Sequence, residues 1–95
     1  MKLYTKEELK KEPKGTTIHI EFEVEWQEGK YKGIKRSLDA TIKENNVVER
    51  GYQGCSVEFS ENIPGYGNMF INYEAFKDKM EINYYNNQKL KVYKK

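Results

Sequence analysis

From Ile18 to Trp26 the chain reads I-H-I-E-F-E-V-E-W, apolar at Ile18, Ile20, Phe22, Val24 and Trp26 and polar at every position between. Side chains on a β-strand alternate between two faces, so this pattern predicts a strand with one buried and one wet face. A helix would scatter both sets around its axis. Burial of the five apolar groups contributes on the order of 10 kcal/mol before entropy, an upper bound, which makes this strand the centre of the core.

Upstream, Thr5-Lys6-Glu7-Glu8 has the form of a capping box, with Tyr4 and Leu9 at the staple positions. Pro13 disfavours helix at Glu12 and Gly15 permits a sharp redirection, so a short helix is predicted over about Lys6 to Lys11. A helix of that length is not stable alone in water, so Tyr4 and Leu9 must dock it across one end of the sheet.

Downstream, Gln27-Glu28-Gly29-Lys30 predicts a hairpin turn. The next strand carries its apolar residues at Ile34, Leu38, Ala40 and Ile42, all even-numbered like those of the first, so antiparallel pairing must join even to even. A three-residue loop with Gly29 at the bulge meets that condition and sets Lys35 opposite Glu21 or Glu23. Arg36 breaks the pattern and is directed inward or to the rim.

Asn45-Asn46 predicts the next turn, because Asn tolerates the left-handed conformation. A third strand is expected from about Val47 to Phe59, with Gly51-Tyr52-Gln53-Gly54 marking a bulge or bend. Ser60 to Asn68 reads as the longest loop, after which Met69, Ile71 and Tyr73 resume a strand; one helical turn over residues 72–79, with Tyr73, Phe76 and Met80 at helical spacing, is the alternative. A final hairpin, Met80 to Tyr85 and Lys89 to Tyr93, is expected to turn at Asn86-Asn87-Gln88, with Tyr84 facing Leu90 and Ile82 facing Val92. The whole is a single domain, residues 1–95, of mainly β (α+β) class: a five- to six-stranded antiparallel curved sheet or small open barrel with a short N-terminal helix.

Composition narrows the setting. Charged residues make up 34% of the chain but the net charge is only +2, which lacks the excess of a dedicated duplex-binding domain. The lone cysteine, Cys55, has no internal partner, so the fold does not depend on an oxidising compartment and a cytoplasmic location is expected. Nothing approaches the ~20 apolar residues of a membrane span, and no membrane association is expected.

Candidate chemistry is sparse. His19, the only histidine, shares its face with Glu21, Glu23 and Glu25, but ligands along one strand form a line and do not surround an ion. Cys55 has the apolar parity of Val57 and Phe59 and reads as a core thiol. Asp39 and Asp78 read as isolated, and no converging carboxylate pair is present. Gly65-Tyr66-Gly67 follows Pro64 and opens no helix, so it is not a nucleotide fingerprint. No enzyme, metal or cofactor is expected.

One device recurs: Tyr52 between Gly51 and Gly54, and Tyr66 between Gly65 and Gly67. Glycine admits close approach while tyrosine offers a stiff, half-polar surface. The expected function is therefore that of a small non-catalytic interaction protein binding a macromolecular partner, another protein, through Tyr52 and Tyr66 assisted by Asn62, Ile63 and Asn68. Small inhibitors encoded by phages and mobile elements offer an analogy of size and style, though not a family resemblance. The alternative is a module for single-stranded nucleic acid or nucleotide, with tyrosines stacking on bases and Lys89, Lys91, Lys94 and Lys95 on phosphates.

Overall fold

The computed structural model describes residues 1–24, 35–63, 66–85 and 88–95. Its elements are β1 (Lys2–Leu3), α1 (Lys6–Lys10), β2 (Thr17–Val24), β3 (Lys35–Glu49), β4 (Tyr52–Ile63), β5 (Tyr66–Asn72), a 3₁₀ turn (Tyr73–Ala75), β6 (Glu81–Tyr85) and β7 (Gln88–Lys94). The strands form one antiparallel sheet in the order β1-β7-β2-β3-β4-β5, with β6 beside β7. The sheet is open, and its architecture is the mainly β one that the alternation predicts.

Strand β2 lies between β3 and β7, as its apolar load demands. Ile18, Ile20 and Phe22 are buried on one face, while Val24's side chain, Trp26 and Ile34 fall outside the described set. Pairing with β3 is even to even: Ile18 faces Ala40, Ile20 faces Leu38, and Glu23 faces Lys35. The predicted turn at 27–30 lies outside the described residues. Arg36, opposite Phe22, takes the rim option and is exposed, donating to the Lys35 carbonyl at 2.9 Å. Further core residues are Ile42, Cys55, Val57, Phe59, Ile71, Tyr73, Phe76, Met80, Leu90 and Val92, with the Phe22 and Phe59 rings stacked at 5.5 Å.

The helix forms as its cap dictates. The Glu8 amide donates to Thr5 Oγ1 at 3.1 Å and the Thr5 amide to Glu8 Oε1 at 3.0 Å, which satisfies two amides that the first turn would leave without partners. Tyr4 and Leu9 are buried in the common core, which anchors five residues of helix that propensity alone would not hold.

Four expectations need correction. Asn45-Asn46 is not a turn: β3 continues through it to Glu49, and the chain reverses at Arg50-Gly51, both with positive φ (52° and 82°). Asn46 does adopt the left-handed conformation (φ 55°), but inside a bulged strand. Between Ile42 and Val47, β3 advances five positions while β4 advances three, from Val57 to Gly54, so β3 carries two extra residues. The bulge turns the Asn45 amide towards α1, where Nδ2 donates to the carbonyls of Leu9 and Glu12, both at 2.9 Å. Asn46 Nδ2 reaches the Lys10 carbonyl, also at 2.9 Å. Carbonyls at and just beyond the end of α1, where the helical hydrogen-bond ladder runs out, favour this geometry over a turn.

Second, the interruption at Gly51 to Gly54 is a bend and not a bulge, and it divides the single strand expected over Val47 to Phe59: β3 ends at Glu49 and β4 starts at Tyr52. Third, Ser60 to Asn68 is not a long loop: β4 runs to Ile63, β5 starts at Tyr66, and these two residues pair, because polar residues and glycine still accept extended backbone when a neighbouring strand satisfies it. Residues 64–65 lie outside the described set. Fourth, the last hairpin is slipped by two positions. Ile82 faces Leu90, not Val92, and the Val92 amide instead donates to the Met80 carbonyl at 2.9 Å. An irregularity between Ile82 and Tyr85 absorbs the difference and leaves Tyr85 opposite Gln88. Even parity survives the slip, so Met80, Leu90 and Val92 remain buried. In 72–79 the helical alternative prevails, with Asn72 Oδ1 capping the Tyr73–Ala75 turn at the Glu74 amide.

Candidate functional site

The residues singled out from sequence fall in two places. Tyr52 begins β4 beside the Arg50-Gly51 turn, whereas Ile63 and Tyr66 pair at the strand's far end, with Asn62 and Asn68 near them. Eleven strand positions separate Tyr52 from Ile63, roughly 35 Å of extended chain, so the two tyrosines do not form one patch. Asn68 is exposed opposite Glu58; the side chains of Asn62, Ile63 and Tyr66 lie outside the described set. Gly54 owes its identity to packing. A Cβ there would stand 2.2 Å from the Ile71 carbonyl oxygen and 2.5 Å from Phe70 Cζ, so the glycine admits the neighbouring strand and not a ligand.

At the Tyr52 end the structure adds a residue that sequence patterning missed. Val48 is 68% exposed and Tyr52 48%, the two most exposed large apolar side chains described beyond Met1. Val48 pairs with Gln53 and Glu49 with Tyr52, which puts the two apolar groups on opposite faces of the hairpin tip. The tip is braced: the Gln53 amide donates to Glu74 Oε2 at 3.3 Å, in the turn that Asn72 caps. Val48 was legible only with the turn placed correctly, since a turn at Asn45-Asn46 makes it an ordinary strand residue.

The four lysines of the nucleic-acid alternative do not share a surface. Lys91 lies opposite Glu21 and pairs with Glu81 at 3.4 Å, which raises its pKa; Lys89 lies opposite Glu23. Lys95 pairs with Asp39 on the same face. Lys94 points the other way, to Glu8 and over the Tyr4 ring at 5.7 Å.

The polar face of β7, β2 and β3 is a grid built by register. One row runs Lys89, Glu23, Lys35; the next Lys91, Glu21, Ser37; the third Tyr93, His19, Asp39. In the third row His19 Nδ1 meets Asp39 Oδ1 at 2.9 Å, and Nε2 meets Ser37 Oγ at 2.8 Å. Asp39 is thus not isolated, contrary to the sequence reading. Lys95 first, then His19, hydrogen-bond its carboxylate and hold its pKa below the usual range. The signal was within reach, because the register that sets Lys35 opposite Glu23 also sets Asp39 opposite His19. Tyr93 lies beside the imidazole, ring centroids 6.3 Å apart, and its hydroxyl donates to Glu21 Oε2 at 3.2 Å. An open groove of about 530 Å³ adjoins Ser37, lined also by Glu21, Glu23, Lys35, Arg36, Lys89 and Lys91 and by the apolar Phe22 and Leu90.

Cys55 is buried and free, and burial pushes its pKa up to about 11, away from nucleophilic use. Among the described residues no group of three His, Cys, Asp or Glu side chains is placed to hold a metal ion, and no helix is long and apolar enough to cross a membrane. Compared with protein-family models, characterised proteins and solved structures, the chain matches none.

Proposed function

We propose that this chain acts by binding another protein through the tip of the β3–β4 hairpin, with Val48 and Tyr52 as its anchors. The exposure of those two side chains carries the reading: a valine 68% exposed and a tyrosine 48% exposed, on a tip that projects them to either side. Interface energy concentrates in a few large anchors, tyrosine prominent among them. The positive-φ pair Arg50-Gly51 and the bond from Gln53 to Glu74 hold the tip in one shape, which lowers the ordering cost of binding. Inhibition of the partner follows where the tip occupies a site that the partner needs. Carboxylates beside Lys91, Lys94 and Lys95 favour this reading over phosphate binding, which calls for cations free to meet a backbone.

The test is parallel affinity capture from host lysate with the wild-type chain and a Val48→Ser/Tyr52→Ala double variant as baits. A partner retained by the wild type and lost by an equally stable double variant supports the hairpin tip. Equal retention by both contradicts it. A retained oligonucleotide released steeply by moderate salt would instead favour nucleic acid.

A further inference from the structure

The contacts of Ser37, His19 and Asp39 carry an inference independent of the hairpin tip, about ten positions away along β3. We infer that Ser37 is an acyl-accepting nucleophile, with His19 as its general base and Asp39 as the residue that positions the imidazole. Asp39, ionised beside Lys95, can only accept, so His19 Nδ1 carries the proton between them; Nε2 of the neutral ring then accepts from the Ser37 hydroxyl. These are the relations that activate a serine, recognised by geometry and not by order in the chain. The register enforces them, since Asp39 stands directly opposite His19, and Ser37 is the next residue of β3 on that face.

Access and charge agree. Ser37 is exposed and opens on the groove, while His19 is largely covered, its side chain 14% exposed. Glu21, opposite Ser37, would oppose a developing oxyanion, but the Tyr93 hydroxyl holds its carboxylate on the β7 side. Lys35, two positions from Ser37 on the same face, supplies positive charge for that oxyanion. Lys35 and Arg36, exposed beside Ser37, line the groove, so the fitting donor is an ester or thioester with an anionic group on its acyl part.

The step balances without a co-reactant other than water. Ser37 Oγ attacks the acyl carbon as its proton passes to His19 Nε2; the bond to the leaving group breaks, and that group takes the proton from His19. The serine ester so formed is hydrolysed when water adds to it, gives a proton to His19, and Ser37 departs with that proton as the carboxylic acid is released.

The experiment incubates the full chain with 4-nitrophenyl acetate and with mono-(4-nitrophenyl) succinate, then maps acylated residues by peptide mass spectrometry. Acylation of Ser37 is expected, faster with the succinate ester, and slowed at least about tenfold in His19→Gln and Asp39→Asn at unchanged melting temperature. Acylation confined to lysines, or Ser37 acylation undiminished in folded His19→Gln, would overturn the assignment. Equal rates with the two esters would overturn the anionic donor class. Ser37→Ala keeps the test sharp if a histidine variant fails to fold, because it must remove the label while leaving lysine acylation intact.

Discussion

The Tyr73 hydroxyl donates to Asn45 Oδ1 at 2.6 Å, tying the bulge of β3 to the turn that follows β5. The same amide gives both its protons to the end of α1. One side chain therefore fastens the end of the helix, the central sheet and the turn beyond the edge strand.

Asn45→Ala is expected to destabilise the fold by about 2–3 kcal/mol, more than one hydrogen bond's typical share, because it removes three part-buried hydrogen bonds at once. Urea unfolding checks this. Tyr73→Phe, which removes one bond from the same amide, should cost about 1 kcal/mol.

Gly54→Ala should destabilise by about 1–3 kcal/mol, since the added methyl meets the Ile71 carbonyl as well as the Phe70 ring. Gly67→Ala, where a Cβ meets nothing within 4 Å, is the matched control and should leave the urea midpoint nearly unchanged.

These two sites also mark how far the sequence could be read. Where one periodicity ran undisturbed it sufficed: β2, the even-to-even pairing with β3, and the burial of Cys55 follow from alternation alone, and the Thr5–Glu8 cap from four residues. Two extra residues in β3 broke the period between Ile42 and Val47, and the left-handed Asn46 that signals a turn serves a bulge equally well. The choice between them rested on α1 carbonyls some thirty-five positions earlier, which local patterning does not register. The His19, Asp39 and Ser37 contacts belong to two strands at once and follow only from the register that sets Lys35 opposite Glu23, one of the two that the pattern allowed. Nothing local joins Val48 to Tyr52 until the turn between them is placed.

Cys55 should react with a thiol reagent only as the protein opens, because burial both shields the sulfur and raises its pKa to about 11. The rate with an aromatic disulfide should then track unfolding and rise with urea. A fast phase in the native protein at neutral pH would contradict the packing of β4.

Acid should weaken the attachment of α1. Lys94 first, then the Thr5 amide, hydrogen-bond the Glu8 carboxylate and lower its pKa from 4.5 to about 2. A carboxylate with a lowered folded-state pKa adds stability above its unfolded value and loses it as pH falls through the folded one, so this contribution fades between about pH 4.5 and 2. Glu8→Gln should flatten the fall in melting temperature over that window relative to wild type.

The most direct test of the proposed function is the calorimetric affinity of the captured partner for wild type, Val48→Ser and Tyr52→Ala. If the hairpin tip is the contact, each substitution weakens binding by about 1–3 kcal/mol, roughly five- to 150-fold, with the melting temperature nearly unchanged. Wild-type affinity in both folded variants would contradict the assignment.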